Sequence, residues 1–112
     1  DPAGSARLEG FAIHWEEKPD TVDLAYACTI DRLGRTSSIL SGEYCGTRGR
    51  SAPIYALNLS LLGEGAASVE LLAEAVFAGC PSQVLKAGVE ARGLTGAEPL
   101  VALRVSIRSI FL

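Results

Sequence analysis

One strand-like stretch of this chain occurs three times at a spacing of 46 residues. That period limits the possible folds more than any other feature. Residues 42–61, GEYCGTRGRSAPIYALNLSL, align without gaps over residues 88–107, GVEARGLTGAEPLVALRVSI. Gly42, Pro53, Ala56, Leu57 and Ser60 then fall on Gly88, Pro99, Ala102, Leu103 and Ser106. Ile54, Leu59 and Leu61 fall on Leu100, Val105 and Ile107, conservative pairs in a strand. The same offset lays Leu8–Trp15 over Ile54–Leu61. Upstream, Val22, Leu24, Tyr26, Cys28 and Ile30 match Val69, Leu71, Ala73, Ala75 and Phe77 at an offset of 47. The reading is a single domain over residues 1–112, with units at 19–61 and 66–107. Before them, residues 8–15 form the last strand of an earlier, partial unit. Three full units would need about 138 residues, against the 112 present.

Alternation of apolar residues makes the repeated segment a strand. Phe11, Ile13 and Trp15 share one face, as do Tyr55, Leu57, Leu59 and Leu61, and Val101, Leu103, Val105 and Ile107. The opposite faces carry small or polar residues, among them His14, Asn58, Ser60, Arg104 and Ser106. Val22–Ile30 alternates too, with Asp23, Ala25, Ala27 and Thr29 facing away. Residues 69–78 (VELLAEAVFA) have the composition of a helix, since Leu71, Leu72, Ala75 and Val76 form a helical stripe. The repeat nevertheless places a strand there. The expected fold is all-β: repeat-built antiparallel sheets, β-prism-like or a β-sandwich.

Composition removes several function classes. A net charge of −3 provides no basic field for a nucleic-acid backbone. Glu64, Glu70 and Glu74 interrupt the apolar runs well short of the roughly 20 residues a membrane span needs. Three unevenly spaced cysteines and one histidine form neither a disulfide framework nor a zinc signature, so no metal or cofactor is expected. Cys28 and Cys45 take the places of Ala75 and Ala91, which makes them candidate buried thiols. A bond between them stays open. Cys80, in a Gly-Cys-Pro turn, is the more exposed of the three by context. The chain has no Met and opens Asp1-Pro2-Ala3-Gly4-Ser5, which reads as a processed or excised segment.

The richest candidate site is the loop 42–52, GEYCGTRGRSA. It combines Glu43, Tyr44, Thr47, Arg48 and Arg50 among glycines that let a ligand approach the backbone. Such a mixture suits a sugar or acidic glycan, by stacking on tyrosine and forked hydrogen bonds from arginine. A solvated loop whose glycines serve only turn geometry is the competing reading. The second unit retains Glu90, Arg92 and Thr95 but lacks the counterparts of Tyr44 and Arg50, so the two units would not bind alike. Trp15 tempts as a stacking platform, yet its counterparts Leu61 and Ile107 make it a core residue. His14 matches Ser60 and Ser106 on the polar face, without a carboxylate or nucleophile beside it in sequence.

Tyr26, Gly34, Gly42-Glu43, Gly46-Thr47, Gly49, Ser51, Ile54, Ala56-Leu57, Leu59 and Leu61 run in an order that resembles the clostridial hydrophobic-W repeat family. The likeness covers residues 22–61 and, faintly, 69–107. Arg35 stands where that family has its signature tryptophan after Gly34, so the aromatic surface it would provide is missing. The resemblance implies a non-catalytic module of a secreted or cell-surface bacterial protein, extracellular in location. Its partner would be a glycan or cell-wall polymer. The alternative is a structural or oligomerisation domain that assembles with other domains or copies and takes no small ligand. Paired carboxylates or a nucleophile with its base are not recognisable, so an enzyme is not expected.

Overall fold

Val, Ile, Leu and Tyr at every second position favour extended backbone, and the longest such runs become the longest strands. A computed structural model describes residues 8–110; the opening Asp1–Ser5 lies outside the described residues. Among the described residues the strands are β1 Gly10–Ala12, β2 Asp23–Ile30, β3 Gly34–Arg35, β4 Ile39–Leu40 and β5 Tyr44–Gly46. They continue as β6 Ile54–Leu62, β7 Val69–Phe77, β8 Gln83–Leu85, β9 Ala91–Arg92 and β10 Leu100–Ser109. A 3-10 turn, Glu64–Ser68, links β6 to β7. All pairings are antiparallel. They form one sheet in the order β3-β2-β6-β9 with β4 also on β2, a second in the order β10-β7-β8, and the pair β1-β5. The chain is all-β, and the sheets do not close into a barrel.

The two long ladders share a register. Leu24 faces Leu61, Tyr26 faces Leu59 and Cys28 faces Leu57 across β2 and β6. At the two sequence offsets, Leu71 faces Ile107, Ala73 faces Val105 and Ala75 faces Leu103 across β7 and β10. Each ladder slips once at the matching place, between Thr29 and Ile30 in the first and between Leu100 and Ala102 in the second. Beyond the slip, the Asp31 N–H donates to Pro53 O at 3.0 Å and the Ala78 N–H to Pro99 O at 2.8 Å. The short pairs match as well. Phe11 lies opposite Cys45 in β1-β5, and Leu57 lies opposite Ala91 in β6-β9. The Gly42 N–H donates to Ile13 O and the Gly88 N–H to Leu59 O, both at 2.7 Å.

The slips correct the expected alternation. A β-bulge sets two residues against one, so the strand changes phase there. Ile54 and Leu100, not Tyr55 and Val101, enter the core and are fully buried, while Tyr55 and Val101 stay half-buried. The outer face of β2 also departs from expectation, because Ala25 and Ala27 are buried as deeply as their apolar neighbours. They stand opposite Ser60 and Asn58 on β6. Residues 69–77 are strand throughout despite their helical composition. Pairing with β10 on one side and β8 on the other outweighs local propensity. The core gathers Leu24, Tyr26, Cys28, Ile54, Leu57 and Leu59 with Ala73, Ala75, Phe77 and Leu100. Trp15 packs against it while remaining half-buried.

Candidate ligand-binding cleft

The glycine-rich loop is held from outside by one carboxylate. Glu9 reaches across from the start of β1, where its Oε1 accepts from the Thr47 hydroxyl at 2.8 Å and the Arg50 N–H at 3.1 Å. Its Oε2 accepts from the Gly49 N–H at 3.0 Å. The Thr47 bond, reinforced by the backbone amides, holds the Glu9 carboxyl below its ordinary value of 4.5. Close approach explains two glycines here. A Cβ on Gly46, which has φ 120°, would strike the Glu9 carbonyl, and one on its cross-strand partner Gly10 would strike the Tyr44 ring.

The tyrosine is committed to the loop. Its hydroxyl donates to Thr47 O at 2.8 Å, and the Arg48 guanidinium carbon sits 4.0 Å from the ring centroid, a cation–π contact. Glu43 turns inward through its backbone. Its carbonyl accepts the Tyr26 hydroxyl at 2.5 Å, while its Oε1 accepts from the Leu40 N–H at 3.3 Å. Tyr26, 1% exposed, also accepts the Ile13 N–H at 3.2 Å and so ties the segment after β1 to the turn before β5. Glu43, Tyr44, Thr47 and Arg48 thus have partners within the fold.

Arg50 differs. It lines an open cleft of about 500 Å³ beside the loop, together with Asp31, Arg32, Ser51, Pro53 and Tyr55. Arg32 and Ser51 hold φ at 70° and 53°, left-handed values that cost side-chain-bearing residues energy and recur at ligand sites. Arg32 Nε lies 3.7 Å from the Asp31 carboxylate, a solvent-exposed pair that a stronger anion can displace. Two guanidinium groups, a carboxylate and a phenol ring around one concavity can hydrogen-bond and stack on a polar, anionic ligand. Of the five sequence candidates, the structure brings only Arg50 to this cleft. Arg32, Asp31 and Tyr55 join it through the turn after β2 and the bulge at the start of β6. Sequence periodicity gives no sign of either feature.

The cysteines divide as their context suggests. Cys28 and Cys45 are buried with their sulfurs 3.2 Å apart, and the Thr36 hydroxyl lies 3.6 Å from the Cys45 sulfur. The hydrogen bond from Cys28 brings Cys45 down to about 7, while that same bond and burial push Cys28 up. Cys80 is half-buried, its thiol 3.6 Å from Ala78 O. His14 is exposed. Among the described residues no group of three His, Cys, Asp or Glu side chains is placed to hold a metal ion. No helix among them is long and apolar enough to cross a membrane.

Comparison with protein-family models, curated protein sequences and solved structures returned no match to this chain.

Proposed function

We propose that this chain is a non-catalytic module that binds an acidic carbohydrate at the Arg32–Arg50–Tyr55 cleft. The observation that carries the reading is the meeting of two guanidinium groups and a phenol ring around one cleft, where Arg32 and Ser51 hold left-handed φ. An open cleft whose cations lie on exposed residues suits reversible binding better than chemistry, which needs a dry, preorganised site. Glu43, Tyr44, Thr47 and Arg48 serve this site by shaping the loop that presents Arg50. The likeness of residues 22–61 to the hydrophobic-W repeat supports a secreted or cell-surface setting and a glycan or cell-wall polymer as ligand.

The architecture belongs to the same proposal. The chain is built from two units, 19–61 and 66–107, preceded by the final strand of another, in a β-prism-like arrangement. Matching ladders, matching bulges and matching short strands at the two offsets support this reading. A second function, assembly with other domains or copies, is favoured by one observation. Among the described residues β10 pairs only with β7, and its Leu103, Val105 and Ile107 are half-exposed.

A glycan array of neutral and acidic saccharides tests the first function, repeated with Arg32→Ala, Arg50→Ala and Tyr44→Ala. Retention of acidic glycans is expected. It should weaken about tenfold or more with either arginine change, since a charged hydrogen bond contributes about 1.5–3 kcal/mol. The Tyr44 change should act less, through the loop. Binding to nothing, or binding indifferent to both arginine changes, would overturn the cleft as the site.

A further inference from the structure

The edge of β6 that receives β9 has a counterpart on β10, and among the described residues that counterpart is open. In an antiparallel strand the N–H and C=O of one residue point to the same neighbour, and successive residues alternate. Leu59 O accepts from Gly88, so Leu57, Leu59 and Leu61 present their backbone toward the β9 side. On β10 the Ile110 N–H donates to Ser68 O on the β7 side, so Leu103, Val105 and Ile107 present theirs away from β7. These are the residues that the 46-residue offset sets on Leu57, Leu59 and Leu61.

β1 has the complementary vacancy. It corresponds to β6, which pairs with β2 on one edge and β9 on the other, yet β1 pairs only with β5 among the described residues. Its Ala12 and His14 backbone groups face the side where β6 receives β2. Between β1 and β10 run two adjoining clefts of about 320 Å³ each, which share Ile13, His14 and Val105. Trp15 and Ile107 line one, Phe11 and Leu103 the other. At the floor the strands already touch, where the Leu8 N–H donates to Leu100 O at 3.0 Å.

We propose that this slot is a docking site for a further segment of the β7–β9 pattern. That is a long strand with apolar residues at alternate positions, followed by a short strand with a small residue at the Ala91 position. The inference rests on the two-unit reading. The ladders specify the register: the long strand sets the residues equivalent to Ala73 and Ala75 opposite Ile13 and Phe11, as β2 does on β6. The short strand sets the equivalents of Ala91 and Arg92 opposite Leu103 and Ala102, as β9 does on β6. The short strand must resemble β9 rather than β5. The Tyr44 ring of β5 occupies the space a Cβ would need at Gly10, and β10 carries Ala102 at that place, whereas β9 has Glu90 where β5 has Tyr44. Main-chain pairing provides affinity and the alternate side chains provide selection, as in other strand additions.

The test uses the whole chain, a peptide of residues 66–99 with Cys80→Ser, and a control peptide of residues 19–53. Amide exchange and emission from Trp15, the only tryptophan, report the slot. With peptide 66–99 the proposal expects a 1:1 complex, blue-shifted Trp15 emission and at least tenfold slower exchange at Leu103, Val105 and Ile107. It expects weaker binding of peptide 19–53, and loss of both signals in Leu103→Lys. It is overturned if peptide 66–99 leaves those amides unchanged, if peptide 19–53 binds as well, or if the chain instead pairs with a second copy through β10. Exchange in the chain alone separates the two levels. Slow Leu57 with fast Leu103, but no peptide binding, removes the slot and leaves the two-unit reading. Equal exchange at both removes that reading too.

Discussion

β6 and β10 have nearly the same sequence pattern and the same antiparallel register on their hairpin partners, yet they differ in what covers them. Leu57 and Leu59 are each 1% exposed, while Leu103 and Val105 at the matching places are half-exposed. The difference lies in the neighbours, because β9 covers one edge and nothing among the described residues covers the other. A strand's own residues determine which face is apolar; they do not determine whether that face is buried. The molecule measures 45 × 26 × 22 Å, and its radius of gyration of 14.2 Å exceeds the roughly 13 Å of a compact domain this long. An uncovered side is consistent with that excess.

The largest effect should come from truncating the covered strand. Leu57→Ala removes a fully buried side chain and is expected to cost about 2–5 kcal/mol, whereas Leu103→Ala should cost less than half as much. Denaturant midpoints of the two variants check this, and equal losses would break the comparison. Next comes a cross-link that one half permits and the other does not. Oxidation by diamide in a Cys80→Ser background should join Cys28 to Cys45, each sulfur losing a proton and the pair giving two electrons to the reagent. Closing that loop is expected to add about 3 kcal/mol. A mass lower by two hydrogens and a raised Tm are the readouts. The counterparts Ala75 and Ala91 leave the second half without any such bond.

Tyr26→Phe follows. Its counterpart Ala73 has no hydroxyl, so only the first half carries the bridge from Ile13 to Glu43. Leaving that amide and carbonyl without the hydroxyl should cost about 1–3 kcal/mol, measured by the same denaturation, with the β1 segment loosened first. The smallest effect concerns the loops. Glu9 closes the first from across the chain. Glu98 closes the second locally by accepting from the Thr95 hydroxyl and amide, and it too is held below 4.5 by that hydroxyl. A carboxyl depressed in the folded state stabilises fully above its unfolded value and loses the effect as pH falls through the folded one. As pH falls through the carboxylate range, roughly 5.5 to 3, amide protection relative to the intrinsic exchange rate should therefore drop at Gly49 and Arg50 and also near Thr95. Only the first loop should take β1 with it. Protection indifferent to acid would remove Glu9 as the clasp.

Much of the fold was legible in the chain. Period-2 alternation marks β2, β6, β7 and β10, and the alignment of residues 69–77 with 22–30 points to a strand where their Ala, Glu and Leu content suggests helix. The bulges were not legible, since Tyr55 continues the alternation of Leu57 and Leu59 perfectly well; only the pairing of Ile54 with Ile30 shows the change of phase. Of the proposed cleft, the sequence singled out one residue, Arg50. Tyr44 and Arg48 stack on each other, a contact that composition alone cannot distinguish from readiness for a ligand. Glu9 and Arg32 escaped notice for a different reason. One acts across 38 residues or more of chain, and the other depends on a backbone angle.

Amide exchange along β6 and β10 in the free chain tests the central claim most directly. The account expects Leu57, backed by Ala91, to be protected. On β10 it expects alternation, with Ala102, Arg104 and Ser106 slow through β7 and Leu103, Val105 and Ile107 close to the rate of unstructured peptide. Uniform protection along β10, or a Leu57 that exchanges as fast as Leu103, would contradict it.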